Sequence, residues 1–131
     1  MAGSKVVARY RDGRMMKGIT SDFLPARDVF HVAPEDGSPP VTVRHAELKA
    51  IFFVRDYAGD ASHQPTNEFD ESKPIHGRKL RVEFDDGEVI VGTTQGYQPG
   101  RAAFFVIPAD ESSNAQRCFV FAAATKSVDW V

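Results

Sequence analysis

From residue 5 onward, apolar and polar side chains alternate. Val6, Ala8 and Tyr10 fall on one side of the chain, and Lys5, Arg9 and Arg11 on the other. A period of two predicts a half-buried β-strand. Asp12-Gly13 follows, a pair suited to a tight hairpin because glycine accepts positive φ without a steric penalty. A second strand, Arg14–Ser21, is interrupted by Gly18. Glycine inside a strand marks a bend or a close approach of another backbone. Phe23-Leu24-Pro25-Ala26-Arg27 reads as a turn, Val29–Ala33 as a third strand and 34–40 as a loop. Val41–Arg44 and Ala50–Val54 complete five short strands.

The same pattern then recurs. Residues 5–36 align without a gap on 79–110. Asp12, Gly13, Gly18, Thr20, Pro25, Arg27, Phe30 and Val32 return as Asp86, Gly87, Gly92, Thr94, Pro99, Arg101, Phe104 and Val106. Residues 41–54 match 118–131 after three extra residues in the later copy. A repeat changes how many units a chain contains. The expected organisation is a first unit at 1–55, an acidic linker at 56–76 and a second unit at 77–131. Five short strands with a bent second strand predict that each unit is a small, closed or nearly closed antiparallel barrel, which removes free sheet edges. The expected fold class is therefore all-β, with two tandem barrels.

Two strands are apolar on both faces: Phe104-Phe105-Val106-Ile107 and Ile51-Phe52-Phe53-Val54. Something must cover the outer face, and the other copy or a second chain is the expected cover. Self-association is thus one expected kind of partner, and a ring of about three chains is one form it would take. Composition is that of an ordinary globular protein. No stretch approaches the ~20 apolar residues of a membrane span, and the first residues are too polar for a secretory signal. A single cysteine, Cys118, points to a reducing compartment, so the cytoplasm is the expected location. The net charge of −2 is uneven: residues 1–55 carry nine Lys/Arg against six Asp/Glu, 56–76 carry one against five, and 77–131 carry six against seven. The copies share a framework but not an electrostatic surface.

The run Val6-x-Ala8-x-Tyr10-x-Asp12-Gly13, with Gly18 and Asp22 behind it, resembles the first motif of the Sm-like proteins, small five-stranded bent barrels of the SH3-like kind. The second copy is similar through Gly87 and Gly92 but has Gly96 where the first has Asp22. Nearly the whole chain is similar to an uncharacterised bacterial family through LKAIFFVRDYAGD, DGE…GTTQGY and FF..PAD. That resemblance implies association with PilZ domains and with pilus or secretion ATPases. Sm-like RNA pockets use a Met-Asn or similar pair after the motif's Asp and an Arg-Gly or Lys-Gly later. Here those stretches read Leu24-Pro25-Ala26 and Arg44-His45-Ala46-Glu47, and in the second copy Gln98-Pro99-Gly100 and Phe121-Ala122-Ala123-Ala124. The base-reading residues of the family are missing. The PilZ signature needs an Arg-x-x-x-Arg arm, which this chain lacks.

The leading candidate site is the repeated aromatic-x-Pro-x-Arg, Phe23/Arg27 and Tyr97/Arg101. An aromatic plane beside a guanidinium suits a stacked ring, a phosphate or a carboxylate. Arg9, Arg11, Arg14 and Lys17 form a basic face around the first hairpin, the alternative site for RNA or DNA. His31 aligns with Phe105 and reads as a packing position. The four histidines lack the close pairing of a metal site. No nucleophile elbow or phosphate-cradling glycine loop is present. The expected function is a non-catalytic binding module with a protein partner, using no metal and no cofactor.

Overall fold

The computed structural model describes residues 3–55, 77–98, 100–109 and 115–131. The segment 56–76, expected as a linker, lies outside them, as does Pro99. The first copy supplies β1 (Ser4–Tyr10), β2 (Met15–Thr20), β3 (Val29–Pro34), β4 (Val41–Arg44) and β5 (Leu48–Val54). The second supplies β6 (Arg78–Phe84), β7 (Val89–Thr94), β8 (Ala103–Pro108), β9 (Ala115–Phe121) and β10 (Thr125–Trp130). A single 3-10 turn, His45–Glu47 or Ala122–Ala124, precedes the last strand of each copy.

The chain is all-β. Its strands pair antiparallel in one open sheet of order β10-β6-β7-β8-β9-β5-β1-β2-β3-β4. Each copy contributes the same sub-order, with its last strand beside its first. The pairings leave β4 and β10 as edges, so the result is coarser than two closed barrels. A strand has only two hydrogen-bonding edges, and β5 uses one on β1 and the other on β9. It is therefore occupied by the other copy and cannot close the sheet onto β4. This junction pairs Ala50 with Val120, Ile51 with Phe119, Phe52 with Cys118 and Phe53 with Arg117. The ladder reaches Ala115, which pairs with Val54, while Leu48 at the start of β5 pairs with Tyr10 of β1.

The hairpins follow the sequence closely. Gly13 and Gly87 take φ of 96° and 92°, and their N–H groups donate to the carbonyls of Tyr10 and Phe84. Asp12 and Asp86 each accept the N–H two residues on, at 3.0 Å. Behind the hairpins, Val6, Ala8 and Tyr10 point into one core and Leu80, Val82 and Phe84 into another. The junction divides its residues between them. Ile51 and Phe53, with Phe119 and Phe121, join the first core, while Ala50, Cys118 and Val120 join the second and Phe52 packs against it. Of the outer faces of the two-sided apolar strands, Phe52 and Phe105 pack against the other copy, while Ile107 stays exposed.

Ion pairs reinforce the join. Buried Lys49 of β5 reaches Asp86 at 2.7 Å and also pairs with Glu88, both on the second copy's hairpin. Arg9 meets Glu88 at 3.3 Å. The Lys49 ammonium, followed by the Glu88 N–H, holds the Asp86 carboxyl below its ordinary range. A folded-state value below the unfolded one means stability that is present above the ordinary carboxylate range and lost as pH falls through the lowered value. Lys49→Met keeps the apolar stem against Phe84, whose ring lies 4.6 Å from the ammonium. Both carboxylates are partly exposed, so the expected loss is about 1 kcal/mol at neutral pH. In thermal melts across pH it should shrink as pH falls through the lowered Asp86 value, where that carboxyl takes up its proton. A loss independent of pH would mean that the ion pairs contribute nothing.

Candidate functional site

The repeated turns take unequal places. Phe23 sits within the aromatic group at the junction, with ring centroids 5.2 Å from Phe119, 5.4 Å from Phe30 and 5.5 Å from Phe53. Its ring is committed to packing. Arg27 is exposed, its N–H donating to the Leu24 carbonyl to close the turn. Tyr97 packs on Phe104 at 4.6 Å and on Trp130 at 5.4 Å. The guanidinium beside this aromatic pair is that of Arg78, 3.8 Å from the Trp130 ring centroid. Arg101 instead bonds the Ala103 carbonyl through Nε at 3.2 Å and borders a cavity.

The cavity measures about 550 Å³ and opens where the two β2–β3-type turns meet. Pro25 and Ala26 of the first copy form one wall. Gln95, Gly96, Arg101, Phe105, Ile107 and Phe119 of the second form much of the rest. Concave, mainly apolar sites of a few hundred Å³ with a few polar groups are the usual form of a binding pocket. Sequence reasoning missed most of these residues, because Phe119 and Pro25 are far apart in the chain and meet only through the β5–β9 pairing. The available signal was the disagreement between the copies at Asp22/Gly96 and His31/Phe105.

In the first copy that position is closed. His31 is half-exposed, and its Nδ1 lies 2.6 Å from Asp22 Oδ2. Asp22 Oδ1 accepts the His31 backbone N–H at 2.8 Å and the Thr20 hydroxyl at 3.3 Å. The backbone bond first, then the imidazole, holds Asp22 below its ordinary carboxyl range. The expected packing role for His31 is overturned: alternation along β3 buries Phe30 and Val32 and puts His31 between them on the outer face, where its ring is exposed beside Asp22. Among the described residues the histidine that packs is His45, with its ring 5.1 Å from Phe121 and no hydrogen-bond partner for Nε2. Burial pushes its pKa down.

The basic face is partly neutralised. Arg14 pairs with Asp12 at 2.7 Å and lies over the Tyr10 ring at 4.6 Å, while Arg9 faces Glu88 and Phe52. Arg11 is exposed and Lys17 half-buried. Burial pushes the Cys118 thiol up to about 12, far from a reactive thiolate. Among the described residues no group of three metal-ligating side chains occurs, and no helix is long and apolar enough to cross a membrane.

No curated protein and no solved structure matches the chain. A family model described as a family of unknown function (DUF6982) matches residues 2–131. With that match running almost end to end over two copies welded at β5 and β9, the chain belongs to this family of unknown function.

Proposed function

We propose that the chain is a non-catalytic binding module, a bacterial cytoplasmic adaptor whose partner is a protein, built from two small Sm-like units fused side by side. The sub-order repeated in each half of the sheet supports the Sm-like reading. One observation carries the function: the cavity between the copies is apolar, open and rimmed by Arg101, and no histidine, cysteine or carboxylate lines it among the described residues. Such a site offers shape, apolar surface and one cation, which suits holding a partner's side chain. The sheet edges suit it less. β4 is four residues long, follows Pro39-Pro40 and exposes Arg44, and β10 exposes Lys126 and Asp129. Proline, charge and shortness protect an edge from pairing.

Tagged protein exposed to extract of its native cell should retain a partner that Arg101→Ala loses and Arg27→Ala keeps. If both variants keep every partner, the cavity is not the site. The alternative, RNA or DNA binding through Arg9, Arg11, Arg14 and Lys17, has weaker support because Arg9 and Arg14 already face carboxylates. A gel shift with single-stranded RNA that declines steeply with salt, and vanishes in Arg11→Ala/Lys17→Ala, would move the function there.

A further inference from the structure

We infer that the cavity is a receptor for a carboxylate carried on an apolar group, and that Gly96, standing where the first copy has Asp22, leaves room for it. This rests on the reading of the cavity as the partner site. In the first copy, the position after β2 holds Asp22, which receives the His31 N–H, the His31 ring and the Thr20 hydroxyl. The chain there carries its own anion in a nest of donors. In the second copy Gly96 replaces Asp22 and Phe105 replaces His31, so neither the carboxylate nor the imidazole is present. Thr94, the counterpart of Thr20, turns its hydroxyl to the Phe105 carbonyl at 2.7 Å instead.

Nothing in the backbone demands glycine at 96. It is not among the positive-φ glycines, and a Cβ built there would meet only Arg101 Nη1, at 3.9 Å. What the glycine provides is space beside a guanidinium. Arg101 pairs with no carboxylate among the described residues, whereas Arg9, Arg14, Lys49 and Arg81 all do. Its Nε is held by the Ala103 carbonyl, which aims the guanidinium while leaving its terminal nitrogens to a ligand. Beyond the guanidinium stand Phe105, Phe119, Pro25 and Ile107, the last 53% exposed. A guanidinium at the mouth of an apolar cavity selects an anion attached directly to a hydrophobic body, and carboxylates pair with arginine in two-point geometry. A chain-terminal leucine or phenylalanine of a partner has that chemistry, and so does a small hydrophobic acid.

The test is an NMR titration of the ¹⁵N-labelled protein with N-acetylleucine, with a tetrapeptide ending in a free leucine carboxylate, and with the C-terminal amide of each. The carboxylates should shift the Gly96, Phe105 and Ala26 amide signals saturably below about 10 mM, and the amides should bind at least roughly tenfold more weakly. Gly96→Asp supplies the missing anion from within and should abolish the shifts. Arg101→Met, at an exposed position, should weaken binding about tenfold and carries the same test should Gly96→Asp fail to fold. Arg27→Met should leave binding unchanged. A peptide that binds more tightly than N-acetylleucine assigns the site to a partner's chain terminus, and equal binding assigns it to a small acid. Absence of saturation by either acid, equal binding of the amides, or wild-type binding by folded Gly96→Asp overturns the inference. Loss of a protein partner in Arg101→Ala without acid binding would leave the adaptor reading standing and remove only the carboxylate.

Discussion

Phe119→Ala should lower the unfolding free energy by about 3–5 kcal/mol, the range for deleting a buried aromatic from a packed core. Phe119 is 3% exposed, belongs to the second copy by sequence, and lies in the first copy's core. Its ring centroid is 4.7 Å from Phe105, 5.2 Å from Phe23 and 5.3 Å from Phe121. The ring pairs are edge-on or tilted, geometries that add attraction beyond the area buried. Removal opens a hole that β5 and β9 cannot close without breaking their ladder, where Phe119 stands opposite Ile51. Urea unfolding measures the loss, and amide hydrogen exchange locates it. Exchange should rise first along β5 and β9, ahead of β1 and β6. A loss below about 1 kcal/mol would mean that the copies are held by their separate cores and not by this junction.

A pair of glycines gives the second large effect. Gly92→Ala should destabilise by about 3 kcal/mol or more, while Gly96→Ala should stay within about 0.5 kcal/mol of wild type or be mildly stabilising. A Cβ on Gly92 would strike the Ile107 carbonyl oxygen and stand 2.8 Å from Val106 Cγ1. The obstacle is backbone, pinned by the β7–β8 pairing of Gly92 with Pro108 and Thr93 with Ile107, so it cannot rotate away as a side chain would. Gly18 is in the same position against Ala33 and Val32, and Gly18→Ala should behave like Gly92→Ala. Thermal midpoints of the three variants decide the matter. Near-wild-type stability for Gly92→Ala would mean that β7 and β8 separate without cost at this crossing, and a strongly destabilised Gly96→Ala would contradict the open space assigned to that residue.

Much of the fold was legible because its determinants are local. Val6-x-Ala8-x-Tyr10 and Leu80-x-Val82-x-Phe84 alternate because one face of each strand is buried, and Asp-Gly closes each hairpin by its own backbone conformation. Gly18 and Gly92 marked a close backbone approach, and that is what they make. The site was less legible. The repeated aromatic-x-Pro-x-Arg pointed to the two turns; Phe23 and Tyr97 pack on other rings there, and of the four residues Arg101 borders the cavity. His31 was misread for a related reason: alignment with Phe105 implied burial, but Phe105 is covered by the first copy's core, while His31 lies on the exposed face of β3 and meets Asp22 there.

The sequence by itself determined the strands, the turns, the duplication and the positions where the copies disagree. Each follows from side-chain alternation, glycine and proline chemistry and identity between residues a fixed distance apart. Only the tertiary structure decided that β5 takes β9 as its second neighbour, leaving the sheet open and placing Phe119 in the first core. Strand alternation says which face is buried but not which strand supplies the neighbouring edge, because backbone hydrogen-bonding groups are alike along every strand. That choice of edge brings Pro25 opposite Arg101 and makes the cavity.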